Sequence, residues 1–270
     1  MIEFTDKELF DLGRRSSKGN QFKFRKDDIW YKADYLGYEG LSEYAVSKLL
    51  GFSSLEPGEY VDYNLTKIKY KEMVFSGCMS RDFSNGWNLI TLERLFKDTY
   101  GHGLNEVIWS VEDHSERLKI MVELVERITG IKDFGKYMNK LMTIDALFLN
   151  EDRHTHNMAV LTDGNGSFLP APVFDNGACL LSDTAMDYPM TSDHIALIRN
   201  AKAKTFCEDF SEQLEISEQI YGQNIMFDYG YNDVHDIVWA ADNYDESARR
   251  RVEEIIMSMR HRYQYLFKSR

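Results

Sequence analysis

Hydrophobic and polar side chains alternate along the first eighty residues. Residues 21–34 have the alternation of two short strands joined by a polar turn, and residues 60–68 and 70–77 again favour strands. Between these segments, Ser42 as an N-cap, an apolar series at helical spacing and Gly51 as a terminating glycine predict one helix. The chain therefore begins with a predicted sheet that carries a single helix.

The later residues are predicted to be mainly helical. Apolar side chains recur at helical spacing in residues 115–130, 136–150 and 244–268. Residues 157–161 and 168–174 flank two turn signals, Asp-Gly and Asn-Gly, and so predict a β-hairpin. The pattern thus changes from sheet to helix near residue 80.

This change predicts an α+β fold with two lobes. A small, antiparallel-sheet lobe with one helix is expected over residues 1–80, and a larger, mainly helical lobe over residues 81–270. The chain has 270 residues and is 43% hydrophobic, which is enough apolar material for a core. A small-molecule site is expected in a cleft where the two lobes meet.

Charge and hydropathy narrow the classes of partner. The formal net charge of -12 repels phosphate backbones and anionic lipid, so we expect neither a direct nucleic-acid partner nor a membrane partner. No apolar run is long enough for a membrane helix, and the first residues are acidic where a signal peptide would be basic. A cytoplasmic location is the resulting expectation.

The three cysteines are predicted to be structural. Cys78, Cys179 and Cys207 are odd in number and far apart in the sequence. That spacing excludes a zinc site built from cysteines and argues against a disulfide framework. Each thiol is expected to be a small buried apolar group.

A dense polar cluster follows the predicted helix at residues 136–150. Residues 150–157, NEDRHTHN, hold two carboxylates, two imidazoles, a guanidinium and two amides. Burying such groups is costly unless they are paired, so the cluster indicates a site, with a solvated loop as the alternative. Asp175 ends an apolar strand, and pairing of the predicted hairpin brings Asn157 near it. An Asp152 general base with Asn157 and Asp175 is a suitable set for magnesium-dependent phosphoryl transfer, and the five-residue step from Asp152 to Asn157 matches protein-kinase catalytic loops.

Two segments near the N-terminus have the chemistry to bind a nucleotide. Lys32 lies within an apolar strand, where it can contact phosphates while pairing with Glu43 at the start of the next helix; the alternative is a lysine that extends to solvent. Residues 13–20, GRRSSKGN, form a basic loop of small residues. The backbone N–H groups and the side chains of Ser16, Ser17 and Lys18 are candidates to hold phosphates, and an ordinary turn is the alternative.

The segments LNEDRHTHNMAVL and PVFDNGACLL resemble the catalytic and metal-binding loops of the HipA-like kinases. These are bacterial serine/threonine protein kinases whose fold is related to phosphoinositide 3- and 4-kinases. The order Asp-Arg-His-x-x-Asn is shared by both groups, and YKEMVFSGCMSRDF, ITLERLF and AKAKTFCEDFSEQL are also similar to small stand-alone members. The resemblance implies a bilobal kinase fold that uses ATP and Mg²⁺. It assigns the catalytic aspartate and its motif histidine to Asp152 and His154, the magnesium ligands to Asn157 and Asp175, and the nucleotide-contacting lysine and its partner to Lys32 and Glu43.

The resemblance also implies a reaction and partners. The γ-phosphate of ATP would pass to a protein hydroxyl, with autophosphorylation at Ser16 or Ser17 and an antitoxin-like regulator as further expectations. Lys18-Gly19-Asn20-Gln21 is only similar to the phosphate loop of the family. The chain is also expected to be a trimmed kinase core without the additional N-terminal subdomain of full-length HipA.

Three other functions use the same residues. His154 and His156 with Asp152 and Asp175 have the chemistry of a zinc or manganese hydrolase site, although this leaves Lys32 without a role. A small-molecule or lipid kinase needs the same catalytic set. A nucleotide-binding pseudokinase that acts through a partner is the non-enzymatic alternative.

Overall fold

A computed structural model describes residues 1–10 and 21–268 of the chain. Ser16, Ser17 and Lys18 lie outside the described residues. Contacts divide the chain into two compact units, each assembled from separate segments. The first unit comprises Met1–Phe83, Asp175–Ala201 and Phe227–Arg270, and the second comprises Ser84–Phe174 and Lys202–Met226.

The described residues form strands and helices in the following order. They are β1 (Ile2–Phe4), β2 (Lys23–Lys26), β3 (Ile29–Ala33), α1 (Glu39–Leu50), β4 (Asn64–Tyr70), β5 (Met73–Arg81), β6 (Asn88–Thr91), α2 (Leu92–Tyr100), α3 (Leu104–Trp109), α4 (His114–Thr129), α5 (Phe134–Phe148), β7 (Ala159–Thr162), β8 (Phe168–Pro170), α6 (His194–Asn200), α7 (Phe210–Tyr221), α8 (Tyr231–Trp239) and α9 (Glu246–Arg262), followed by a 3₁₀ turn (Gln264–Leu266).

The first unit contains a five-stranded sheet in the order β1-β4-β5-β3-β2. Its pairs are antiparallel except for β1, which runs parallel to β4. The alternation along the strands buries one face, as predicted. The core of this sheet is largely aromatic and consists of Phe4, Phe24, Tyr31, Ala33, Ile68 and Tyr70.

Helix α1 starts earlier than the predicted Ser42 cap. It begins at Glu39, whose carboxylate accepts hydrogen bonds from the backbone N–H groups of Leu36 (2.7 Å) and Gly37 (3.1 Å). Ser42 is buried within the helix, and its hydroxyl donates to the carbonyl of Cys179 at 2.9 Å. The cap prediction is wrong because the helix already includes Ser42, whose own N–H donates to the carbonyl of Tyr38 at 3.1 Å. The predicted end, before Gly51, is confirmed.

The second unit combines helices with a three-stranded antiparallel sheet in the order β6-β7-β8. The side chain of Asp113 caps α4 by accepting from the N–H of Glu116, and Gly130 ends that helix with φ of 72°. Only glycine adopts that backbone conformation without cost, so the predicted stop is confirmed. The predicted hairpin is present as β7 and β8.

Burial agrees with the expectation for the cysteines. All three thiols are buried and unbridged. Burial raises the pKa of the Cys207 thiol to about 12. Among residues 1–10 and 21–268, no helix combines the length and apolar character that crossing a membrane requires.

Candidate active site

In the first unit, the ammonium group of Lys32 contacts two carboxylates, those of Glu43 and Asp175. Lys32 lies in β3, opposite Cys78 of β5, and its Nζ is 2.5 Å from Oε1 of Glu43 on α1. The same Nζ is 2.6 Å from Oδ1 of Asp175. The lysine side chain is only 12% exposed, so the alternative in which it extends to solvent is wrong. The predicted pairing of Lys32 with Glu43 is confirmed.

Burial and the charges of Lys32, Glu43 and Asp175 acting on one another set the protonation of this cluster. Burial alone lowers the pKa of the Lys32 ammonium, but Asp175 and Glu43 outweigh it and hold the pKa well above the ordinary value. Burial raises the pKa of Glu43, and the lysine opposes that effect. Lys32 is therefore a firmly protonated cation shared by two carboxyl groups.

The backbone around Asp175 is fixed by contacts with α1. Asp175 has φ of 58°, a left-handed conformation that aspartate tolerates better than most residues. The next N–H, of Asn176, donates to Oε2 of Glu43 at 2.9 Å. Glu43 therefore holds the lysine with one oxygen and the turn after Asp175 with the other. The Tyr38 hydroxyl donates to the carbonyl of Leu180 at 2.7 Å and secures the same segment.

The polar cluster of the second unit forms a closed loop after α5. The helix ends at Phe148, and the next residue, Leu149, adopts φ of 56° and so turns the chain away from the helix axis. The Asn157 amide nitrogen donates to the backbone oxygen of Asp152 at 2.8 Å and to its Oδ2 at 3.0 Å. The five-residue spacing thus brings the amide onto the carboxylate. Nε2 of His154 lies 3.5 Å from Oδ1 of Asp152, so all three predicted catalytic-loop residues lie together.

Arg153 braces this loop, a role that the sequence reasoning missed. Its guanidinium is buried, with Nε at 3.1 and 3.2 Å from the two carboxylate oxygens of Asp145 on α5. Its Nη1 donates to the carbonyls of Asn157 (3.1 Å) and Phe174 (2.7 Å). Burial raises the pKa of Asp145 to about 6, although Arg153 opposes the shift. The arginine therefore connects α5, the end of the loop and the peptide directly before Asp175.

A sequence signal for this brace exists in α5. Asp145 lies on the apolar stripe of the predicted helix 136–150, eight residues before Arg153. A carboxylate at a core position needs a cationic partner.

The sequence analysis also missed the contact of Glu93 with the polar loop. Its Oε2 accepts a hydrogen bond from the Thr155 hydroxyl at 2.6 Å.

The chain is similar to a solved kinase along nearly its whole length. The crystal structure of the Helicobacter pylori proinflammatory kinase CtkA matches with a TM-score of 0.59 and 15% sequence identity, over 98% of this chain and 96% of that chain. This chain has a kinase fold. The likeness confirms the predicted α+β, kinase-like fold and the fold that the HipA-like resemblance implies.

A further match to the kinase fold is weaker. HipA of Shewanella oneidensis MR-1, from a structure of the HipA, HipB and operator DNA complex, matches with a TM-score of 0.48 and 11% identity, over 96% of this chain and 63% of that chain. No protein-family profile matches the sequence, and neither does any curated protein.

Proposed function

We propose that this chain is an ATP- and magnesium-dependent serine/threonine protein kinase that transfers the γ-phosphate of ATP to a protein hydroxyl. The observation that carries the proposal is the Lys32 ammonium held at 2.5 Å from Glu43 and 2.6 Å from Asp175 in a chain with a kinase fold. Kinases of known mechanism use a strand lysine, a helix glutamate and a metal-binding aspartate for phosphoryl transfer.

Lys32 is the proposed contact for the nucleotide phosphates. Its positive charge is secured by Glu43, which is fully buried and therefore holds the ammonium in a fixed position. Asp175 is 23% exposed, so it is the more accessible of the two carboxylates. These features suit a lysine that exchanges a carboxylate for a phosphate oxygen.

Asn157 and Asp175 are the proposed magnesium ligands. Their amide and carboxylate oxygens are the hard donors that Mg²⁺ prefers. Both contacts of Asn157 with Asp152 use the amide nitrogen, so the amide oxygen is not consumed in them. When bound, the cation would neutralise charge on the nucleotide phosphates.

Asp152 is the proposed acceptor of the substrate proton. As the hydroxyl oxygen bonds to the γ-phosphorus, the bond to the β–γ bridging oxygen breaks and the hydroxyl proton passes to Asp152. Asn157 holds Oδ2 of that carboxylate at 3.0 Å, and His154 lies 3.5 Å from Oδ1. We assign His154 a positioning role beside Asp152.

Ser16, Ser17 and Lys18 are proposed to hold phosphates, and either serine is a proposed autophosphorylation site. A phosphate there would add about two negative charges where ATP phosphates must bind, so we expect inhibition. Phosphopeptide mapping after incubation with ATP and magnesium tests this, and an unmodified segment counts against it. A cytoplasmic location and an antitoxin-like regulator complete the proposal.

The proposed activity is tested by incubating the purified chain with γ-labelled ATP and magnesium, alone and with cell lysate, beside Asp152→Asn. We expect labelled protein with the wild type and none with the variant, while both bind nucleotide. Label found only in lipid or small molecules would contradict the protein substrate. Nucleotide binding without transfer by the wild type would instead indicate a pseudokinase.

A further inference from the structure

Three side chains of the second unit that have no role in the proposed kinase reaction lie close to one another. His114 is the first residue of α4, Glu212 lies in the first turn of α7, and Cys207 precedes that helix. One ligand atom from each lies within 4.8 Å of the other two. His114 Nδ1 and Glu212 Oε1 are only 2.6 Å apart. The imidazole and the carboxylate are hydrogen-bonded to each other, and a nitrogen, a sulfur and a carboxylate oxygen lie near enough for one ion to reach all three.

The backbone that carries these side chains is well held. Oε1 of Gln213 accepts from the N–H groups of Phe206 (3.0 Å) and Cys207 (3.5 Å), and Arg117 donates to the carbonyl of Phe206 at 2.8 Å. Asp209 caps α7 through the N–H of Glu212 at 2.9 Å. Binding an ion therefore requires the His114 and Glu212 side chains to part, while the backbone that carries Cys207 and Glu212 is already held.

A second His–Glu pair shows what the cysteine adds. In the first unit, Nδ1 of His235 lies 2.9 Å from Oε1 of Glu253, while Oε2 of that glutamate accepts from Trp239 Nε1, also at 2.9 Å. Both carboxylate oxygens are therefore used within the protein. At His114 and Glu212 the third group is a thiol, 1% exposed, whose hydrogen bond to the Asp209 carbonyl is a weak one at 3.4 Å.

We propose that His114, Cys207 and Glu212 form a zinc site that joins the N-terminal ends of α4 and α7. A thiolate with an imidazole favours zinc over magnesium or calcium, which prefer oxygen ligands. The cysteine proton is released on binding, and the thiolate and carboxylate then balance the two positive charges of the ion. Three protein ligands leave a fourth tetrahedral position for water.

This site differs from the zinc sites considered from the sequence. The spacing of the cysteines excludes a site made of several thiols, whereas this one uses a single thiol with partners from distant segments. Among the residues that the structure describes, Asp152, His154 and His156 do not form such a three-ligand cluster, whereas His114, Cys207 and Glu212 do. The site makes no use of Lys32, Asp152 or Asp175, so it stands or falls separately from the kinase reaction.

Cobalt titration of the whole protein tests the site. The chain is stripped with a chelator, and Co²⁺ is added while absorbance is recorded. We expect one equivalent to produce a thiolate-to-cobalt charge-transfer band in the near ultraviolet, which zinc then abolishes by displacement. The absence of a band, or a band that persists in Cys207→Ser, would overturn the proposal.

Two further variants keep the test decisive if Cys207→Ser does not fold. His114 and Glu212 are 35% and 47% exposed, so His114→Gln and Glu212→Gln should leave the fold intact. Each is expected to raise the cobalt dissociation constant about tenfold or more. His235→Gln, in the pair without a nearby thiol, is the matched control and should leave the constant unchanged. Unchanged binding in both test variants, or equal weakening in the control, would contradict the site.

Discussion

The two units each contain a buried ion cluster, and the clusters differ in how completely their charges are paired. In the second unit, Arg153 and Asp145 are each 1% exposed and match one cation with one carboxylate. In the first unit, Lys32 is 12% exposed and serves both buried Glu43 and Asp175, which is 23% exposed. The Arg153–Asp145 pair of the second unit is a complete internal brace. The lysine cluster has an additional carboxyl group and is partly exposed, as the proposed exchange of a carboxylate for a phosphate requires.

The choice of cation fits this difference. The planar guanidinium of Arg153 reaches Asp145 and two backbone carbonyls at once, through fixed directions. The ammonium of Lys32 is a compact charge that can move between acceptors without losing geometry. The brace and the proposed nucleotide contact thus use different basic side chains for physical reasons.

The largest effect on stability is expected from Asp145→Asn. This change leaves the Arg153 guanidinium buried without its carboxylate, and breaking a buried pair costs about 3–5 kcal/mol. Urea unfolding should show that loss in the free energy of unfolding. A loss below about 1 kcal/mol would mean that the brace contributes little, and the contrast between the two clusters would fail.

Lys32→Met should lower the phosphoryl-transfer rate about 10²–10³-fold, because a preorganised positive charge at the phosphates is removed. The single change also leaves Glu43 buried without its cation, so stability falls as well. Adding Glu43→Gln separates the two effects. The double variant should recover stability but not activity, as measured by urea unfolding and labelled-ATP transfer; recovery of activity would remove Lys32 from the reaction.

The half-buried carboxyl group of Asp34 accepts hydrogen bonds from neutral donors. The N–H of Gly40 donates at 2.6 Å and the Tyr244 hydroxyl at 2.7 Å. Burial, with a smaller effect from Glu39, raises the pKa of Asp34 to about 7, and the two donors oppose the shift. The carboxyl differs in this way from Asp145, whose charge is balanced by an arginine.

The raised pKa of Asp34 predicts a pH dependence of stability. A carboxyl that holds its proton more tightly when folded contributes stability that is complete below about pH 4 and is lost as the pH rises through about 7. The loss of stability should be on the order of 2 kcal/mol, a value that already allows for the partial exposure of Asp34 to solvent. Asp34→Asn should flatten the unfolding free energy over this range; an unchanged slope would contradict the assignment.

The smallest effect is expected at an exposed pair. Arg250 and Glu246 are 2.5 Å apart on α9, with side chains 61% and 63% exposed. Arg250→Ala should change the free energy of unfolding by about 0–1 kcal/mol, because exposed pairs gain little over hydration. Urea unfolding of this variant is the control for Asp145→Asn, and equal losses would show that burial does not distinguish the pairs.

Local spacing predicted the parts of the site that lie close together in the sequence. The step from Asp152 to Asn157 and the pairing of β2 with β3 depend on a few residues each, and both are present. The parallel pairing of β1 with β4 was not predicted, because it joins distant segments and leaves no local pattern. The predicted start of α1 was wrong for a related reason, since the contact of Ser42 with Cys179 is visible only in three dimensions.

The surroundings of Arg153 and Cys207 show the same limit. The sequence shows the first only as one member of a polar cluster and the second only as an isolated thiol. Asp145, which pairs with Arg153, and His114, which lies near Cys207, are on helices whose buried and exposed faces are set by packing. Predicting these contacts requires the arrangement of whole helices within the unit.

Magnesium dependence of nucleotide binding tests the central claim most directly. Calorimetric titration with a non-hydrolysable ATP analogue, with and without magnesium, compares the wild type with Asp175→Asn. We predict that magnesium tightens binding to the wild type about tenfold or more and has little effect on the variant, because the carboxylate ligand is lost. Equal, magnesium-independent affinity in the two proteins would contradict the account.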